Sequence, residues 1–178
     1  MIDQQEELTR QDGEQEIVEE ENERMTLMVF SGDLDKALGA FVIATGAALM
    51  DIEVTMFFAF WGLNVLRKKT AKARGKSLVH RMMGWMLPKG PDELKLSNMN
   101  MMGLGTRMMK SIMKAQKVMD LPALIKLAQS LDIKFVACEM SMNVMGLKKE
   151  ELVDGVQLAG VATAVARASE SKTTLFIS

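Results

Sequence analysis

The sequence predicts an α/β fold: a doubly wound, mainly parallel sheet with helices on both faces. Three observations predict it. Short, continuous apolar runs occur at 25–30, 52–60, 133–137 and 173–177, and helical periodicity fills intervals between them. A strand buried on both faces reads as an unbroken apolar run, and strands separated by helices need crossover connections. The chain is 178 residues long with 48% hydrophobic residues, enough for one sizeable core.

Met25-Thr-Leu-Met-Val-Phe30 reads as the first buried strand, and Ser31-Gly32-Asp33 as the turn that ends it. Asp33 is expected to cap a helix running to about Met50, apolar nearly all round through Leu34, Ala37, Leu38, Phe41, Val42, Ile43 and Leu49. Ile52 to Phe60 is the second strand, broken at Trp61-Gly62. Asp120 caps a further helix with Pro122 in its first turn, where a missing N–H costs nothing. Leu121, Leu124, Ile125, Ala128 and Leu131 line one face of it. Ile133 to Ala137 is the next strand, stopping at Cys138, and Glu139 to Met145 is a helical turn. Leu158, Val161, Ala162, Val165 and Ala168 mark a last helix before the strand Thr173–Ile177.

Charge divides the chain. Residues 1–24 hold ten acids against Arg10 and Arg24, with few apolar residues, and are expected to form a flexible acidic tail. Residues 25–178 are expected to form a single α/β domain with a Met-rich insertion at about 82–119, which carries ten of the 18 methionines. Thioethers suit adaptable contact surfaces, so this insertion is expected to serve an interface between subunits or with a partner. Residues 67–90 carry eight cations and no acid and read as a solvated connector. The apolar stretch 37–66 is interrupted by Asp51 and Glu53, so a buried helix and strand explain it better than a transmembrane segment. Met1 is followed by acids rather than a basic flank and apolar core, so a cytoplasmic location is expected. A net charge of −1 gives no argument for nucleic acid.

With one Cys and one His, an intramolecular disulfide and a multi-cysteine metal site are excluded, and no metal or cofactor site is expected. Cys138 is the residue that can do chemistry. It lies at the carboxyl end of a central strand, where ligands collect in open α/β sheets, and directly before a helical turn, whose free N–H groups favour an anion. A thiolate or persulfide there would be stabilised by backbone donors near Ser141, Met142 and Asn143. Ser31, Phe60, Trp61 and Gly62 end the other strands and are expected to form the wall facing it. His80 lies in the basic connector without an acid to orient it, and Gly103-Leu-Gly105 lacks the third glycine and the preceding strand of a dinucleotide loop.

Four strings carry a family resemblance: Phe57-Phe-Ala-Phe-Trp-Gly-Leu-Asn-Val-Leu-Arg67, Gly105-Thr-Arg-Met-Met-Lys110, Ala137-Cys-Glu-Met-Ser-Met-Asn-Val-Met-Gly146, and the ending Leu152-Val-Asp-Gly-Val156 with Gly160-Val-Ala162. Over residues 25–178 the chain resembles the DsrE/DsrF-like family, in its larger Met-rich branch. The resemblance implies a DsrE/DsrF-like α/β domain that forms homo- or hetero-oligomers, often trimers or hexamers, with a homo-oligomer expected here. It also implies intracellular sulfur trafficking, in which one cysteine, matching Cys138, carries sulfane sulfur as a transient persulfide between rhodanese-like donors and TusA-like acceptors. Since there is no second cysteine, release would need another protein's thiol. Two other readings stay open: a non-enzymatic oligomeric interaction module with a structural cysteine, and a thiol peroxidase or disulfide reductase, which the missing Cys-x-x-Cys disfavours.

Overall fold

The computed structural model describes residues 23–69, 78, 80, 82 and 86–178. Of the acidic tail expected over 1–24, all but Glu23 and Arg24 lies outside the described residues, as does part of the basic connector. Among the described residues, five strands form one sheet: β1 Arg24–Val29, β2 Glu53–Phe58, β3 Lys134–Cys138, β4 Gln157–Ala159 and β5 Thr173–Ile177. Their order is β4-β3-β2-β1-β5 and every pairing is parallel. The helices are α1 Leu34–Ala48, α2 Leu104–Ala115, α3 Leu121–Ser130, α4 Glu139–Met145 and α5 Val161–Ser169.

Successive side chains of a strand point to opposite faces, and the apolar runs therefore feed two clusters. Leu27, Val29, Met56, Phe58, Phe135 and Ala137 meet α1 and α3 in the larger one. Its centre is aromatic: the Phe135 ring stands edge-on to Phe41 at 5.7 Å and to Phe58 at 5.9 Å between centroids, the geometry the ring quadrupoles favour. Met28, Phe57, Val136 and Cys138 face the other way, where Ala164 of α5 joins them. This is the predicted doubly wound sheet, thickly covered on one face and thinly on the other.

Several local expectations need correction. The stretch expected to be helical from Leu158 holds a strand first: Leu158 belongs to β4, paired with Ala137, and α5 starts at Val161. Three residues are too few for a period to show. β2 stops at Phe58, because Phe60 takes φ 46° and opens a 3-10 segment, Phe60–Leu66. Asp33 precedes α1 without capping it; its Oδ2 accepts from Ser31 Oγ at 3.0 Å and faces Lys36 Nζ at 3.4 Å. Asp120 does cap α3, accepting from the Ala123 N–H at 2.9 Å. Helix α1 is buried along Ala37, Ala40, Phe41 and Ala44 but exposes Val42 and Ile43, and Leu49 just after it is exposed too, so it is one-sided rather than enclosed.

Arg67, expected in a solvated connector, is 5% exposed. Its Nη1 donates to the Pro88 carbonyl at 2.8 Å and its Nη2 lies 3.9 Å from Glu151 Oε1. Backbone bonds run alongside: Lys68 N–H donates to Glu151 O at 2.7 Å and Val153 N–H to Leu66 O at 2.8 Å. The pair thus fastens the segment after β2 to the one before β4. Removing one partner of a buried pair strands the other charge, whereas replacing both by apolar groups is far milder. Glu151→Ala is expected to lower unfolding stability in urea by about 3–5 kcal/mol, and Arg67→Met/Glu151→Leu by much less. Equal losses would show that the charges do not act as a pair.

At the opposite end of the sheet, Glu53 accepts from Lys134 and, at 3.3 Å, from Arg24. The Lys134 hydrogen bond, opposed by some burial and aided by the charges of Lys134 and Arg24, holds Glu53 below its ordinary 4.5. A lowered acid adds stability above its unfolded value, and that contribution is lost as pH falls through the folded one. Stability should therefore decline below about pH 4.5, and Glu53→Gln should flatten that limb of a plot of urea midpoint against pH. A limb of unchanged slope would remove Glu53 from the cause.

Candidate functional site

Register builds the site. Val29 pairs with Phe58, Phe58 with Ala137, and Ala137 with Leu158. One residue beyond each pair, Phe30, Ala59, Cys138 and Ala159 fall in a row across the carboxyl edge of the sheet, facing α5. Cys138 therefore has a methyl group on either side of it within the sheet. Met28, Phe57 and Val136 lie on the same face, and Ala164 and Ala168 of α5 close the cluster.

Cys138 is both the last residue of β3 and the N-cap of α4, and its side chain makes no capping hydrogen bond. The first N–H groups of a helix lack intrahelical partners, so the sulfur starts where donors are free. Yet the residue is only 1% exposed. The cover over it is thin: α5 buries Ala164 alone, while Val161 and Val165 are exposed. A depression lined by Glu139, Met142, Asn143, Lys148 and Leu158 flanks α4 without Cys138 among its lining residues.

The other expected residues divide. Ser141 is fully buried, and its Oγ has no hydrogen-bond partner; the same is true of Asn64 Oδ1 in the 3-10 segment against which α4 packs. Met142 belongs to the larger core, and Asn143 is exposed. Trp61 and Gly62 pass close to the end of β1, Trp61 O against Gly32 and Gly62 against Val29 and Phe30. The Gly62 N–H donates to Phe30 O at 2.9 Å, and a Cβ on Gly62 would lie 2.2 Å from Val29 O, so only glycine fits this approach. Ser31 Oγ, however, is occupied by Asp33, and Phe60 and Trp61 stand exposed outside the cysteine's cluster. The residues clustered with Cys138 are instead Phe30, Ala59 and Ala159, which follow from the strand register, and Ala164 of α5. The His80 ring lies against Gly146, at the end of α4 opposite Cys138. No helix among the described residues is long and apolar enough to cross a membrane; residues 37–66 contribute α1, β2 and the 3-10 segment instead.

A sheet of this order, with the cysteine ending a central strand, is accompanied by a match to the model of the DsrE/DsrF/DrsH-like family over residues 21–176. The chain belongs to this family. Within the DsrE/DsrF/DrsH-like proteins it is 46% identical over 158 residues to the uncharacterized protein YrkE of Bacillus subtilis, covering 89% of this chain and 99% of YrkE. It is 34% identical over 164 residues to the sulfur carrier protein DsrE2 of Allochromatium vinosum, covering 88% of this chain and 99% of DsrE2. Two solved structures share the fold. The ychN protein of E. coli superposes with a TM-score of 0.51 at 6% identity, over 86% of this chain and 98% of its own. MTH1491 of Methanobacterium thermoautotrophicum, a protein of unknown function, gives 0.52 at 14% identity, over the same shares.

The thin cover makes access to the thiol a matter of local opening. Ala164→Gly weakens α5 by about 1 kcal/mol. Labelling of Cys138 by iodoacetamide under native conditions should then run about fivefold faster, the factor that energy corresponds to. An unchanged rate, followed by intact mass, would mean that the sulfur is reached by a route that does not involve α5.

Proposed function

We propose that this protein is a sulfur carrier, with Cys138 holding sulfane sulfur as a persulfide and passing it to a partner thiol. The observation that carries the reading is the placement of Cys138: the chain's one cysteine ends a central parallel strand and caps a helix with no partner on its sulfur. The 34% identity to a sulfur carrier protein supports it.

The transfer is an exchange without net redox change. The Cys138 thiolate attacks the outer sulfur of a donor persulfide R–S–SH; a new S–S bond forms and the donor's S–S bond breaks. R–S⁻ leaves with the electron pair, and the proton stays on the transferred sulfur. An acceptor thiolate repeats the attack on the Cys138 persulfide and regenerates the thiolate. The chain needs no resident cofactor for this, and with no second cysteine, donor and acceptor are both other molecules. Rhodanese-like donors and TusA-like acceptors, in a reducing cytoplasm, fit these roles. The exposed Phe60, Trp61, Met140 and Val144 around the carboxyl edge suit a homo-oligomer, trimer or hexamer, or the docking of such partners.

A second reading has one observation in its favour. At 1% exposure Cys138 can be a packed residue of a non-enzymatic interaction module, since free cysteine behaves as a small hydrophobe. Incubation with a persulfide donor separates the two. The wild type should gain mass in steps of about 32 Da, one sulfur atom each, and Cys138→Ser should gain none. If the wild type gains nothing while a small thiol in the same tube is persulfidated, or if the variant gains equally, the carrier reading falls.

A further inference from the structure

Helix α2 and its flanks do not take part in the cysteine's surroundings. Only Gly105 and Thr106 of its twelve residues are buried. Residues four apart share a helix face, and Leu104, Met108 and Ile112, 64%, 58% and 49% exposed, form a continuous apolar stripe turned away from the protein. The turn before the helix adds Met101 and Met102, both in left-handed conformation, with Met102 fully exposed. Val118 and Met119 extend the apolar surface beyond the other end.

Charge accompanies the stripe. From Asn98 to Met119 there is no acid, and there are four cations: Arg107, Lys110, Lys114 and Lys117. Lys110 donates to the Asp92 carbonyl at 2.6 Å; Arg107, Lys114 and Lys117 have no ion-pair partner among the described residues. A strongly amphipathic helix of low overall hydrophobicity, with cations beside an outward apolar stripe, lies in the interface of a bilayer rather than across it.

We propose that α2, with the Met101–Met102 turn, is a docking surface for an anionic lipid bilayer. The stripe and the two methionines enter the boundary between headgroups and acyl chains, while Arg107, Lys114 and Lys117 rest among anionic headgroups, their stems along the apolar surface. A second copy fits worse: α2 packed on its own twin brings the cations of both together with no acid from 98 to 119 to separate them. A groove-bearing protein partner fits worse too, because the apolar tips are spread along turn, helix and following segment as a projecting surface.

Flotation of the full chain with vesicles tests this. With equal parts phosphatidylglycerol and phosphatidylcholine, at about 0.1 M salt where screening sets in near 10 Å, the wild type should float; with phosphatidylcholine alone it should not. Met108→Glu/Ile112→Glu should abolish flotation, and Met102→Asp, outside the helix at a position whose backbone aspartate tolerates, should weaken it more than tenfold. Arg107→Ser/Lys114→Ser should weaken it about thirtyfold, the loss of two surface cations. The proposal is overturned if the wild type stays with the soluble fraction beside anionic vesicles, or if the glutamate variant floats as well as the wild type. It is also overturned if wild type that does not float shows a concentration-dependent size that the glutamate variant loses, which would assign the face to a second copy.

Discussion

Everything at the candidate site depends on the parallel register of β2 and β3. With Phe58 opposite Ala137, the next residues of the two strands, Ala59 and Cys138, stand side by side at the carboxyl edge, on the face opposite the aromatic core. A shift of one residue would turn Cys138 toward α1 and α3 and bring Ala137 to the thin face, because strand side chains alternate. Phe41, Phe58 and Phe135 oppose that shift: the edge-on contacts of Phe135 with Phe41 and Phe58 need Phe58 and Phe135 to face α1 together. The large cluster fixes the register, and the register fixes where the thiol points.

The two faces of the sheet then carry different demands. On the α1 and α3 side, packing is dense and the residues are large, as stability requires. Over Cys138 the chain places alanines, Ala59 and Ala159 in the sheet and Ala164 and Ala168 in α5, with one of the helix residues buried. Small side chains let the helix approach closely but contribute little apolar area to holding it there, so α5 belongs to the weakly held part of the molecule. A thiol sealed in this way is shielded from solvent at rest and remains within reach of a modest local opening.

Much of this was legible from the sequence, and the failures have physical causes. The unbroken apolar runs gave β1, β2, β3 and β5, because strands buried on both faces leave that trace. β4 left none: Gln157, Leu158 and Ala159 are three residues at a sheet edge, and Leu158 fitted the helical period of its neighbours. Cys138 was legible from its place between strand and helix. Its wall was not, because Phe60 and Trp61 were assigned by where strands end rather than by which residues share a row. Phe60 enters a left-handed turn and leaves the sheet, so the row closes with Ala59 instead. Arg67 read as solvated because cations in a basic run usually are; only the fold reveals Glu151, 84 positions later, as its partner.

The methionines show the same distinction between pattern and placement. Met56 and Met142 are core residues, while Met99, Met101, Met102 and Met108 are exposed, though nothing in their own chemistry separates the two sets. The neighbours separate them. The buried methionines sit on β2 and on the inward face of α4, against the large core. The exposed ones sit where glycine, asparagine and lysine interrupt them and no strand runs underneath. Met102 precedes Met109 and Met113 by helical intervals yet shares no face with them, because the helix starts two residues after it, beyond a left-handed turn. Helical spacing is evidence of a common face only inside a helix. At 98–119 the backbone turns before it coils, and that turn points thioethers outward which a continuous helix would have directed at the core.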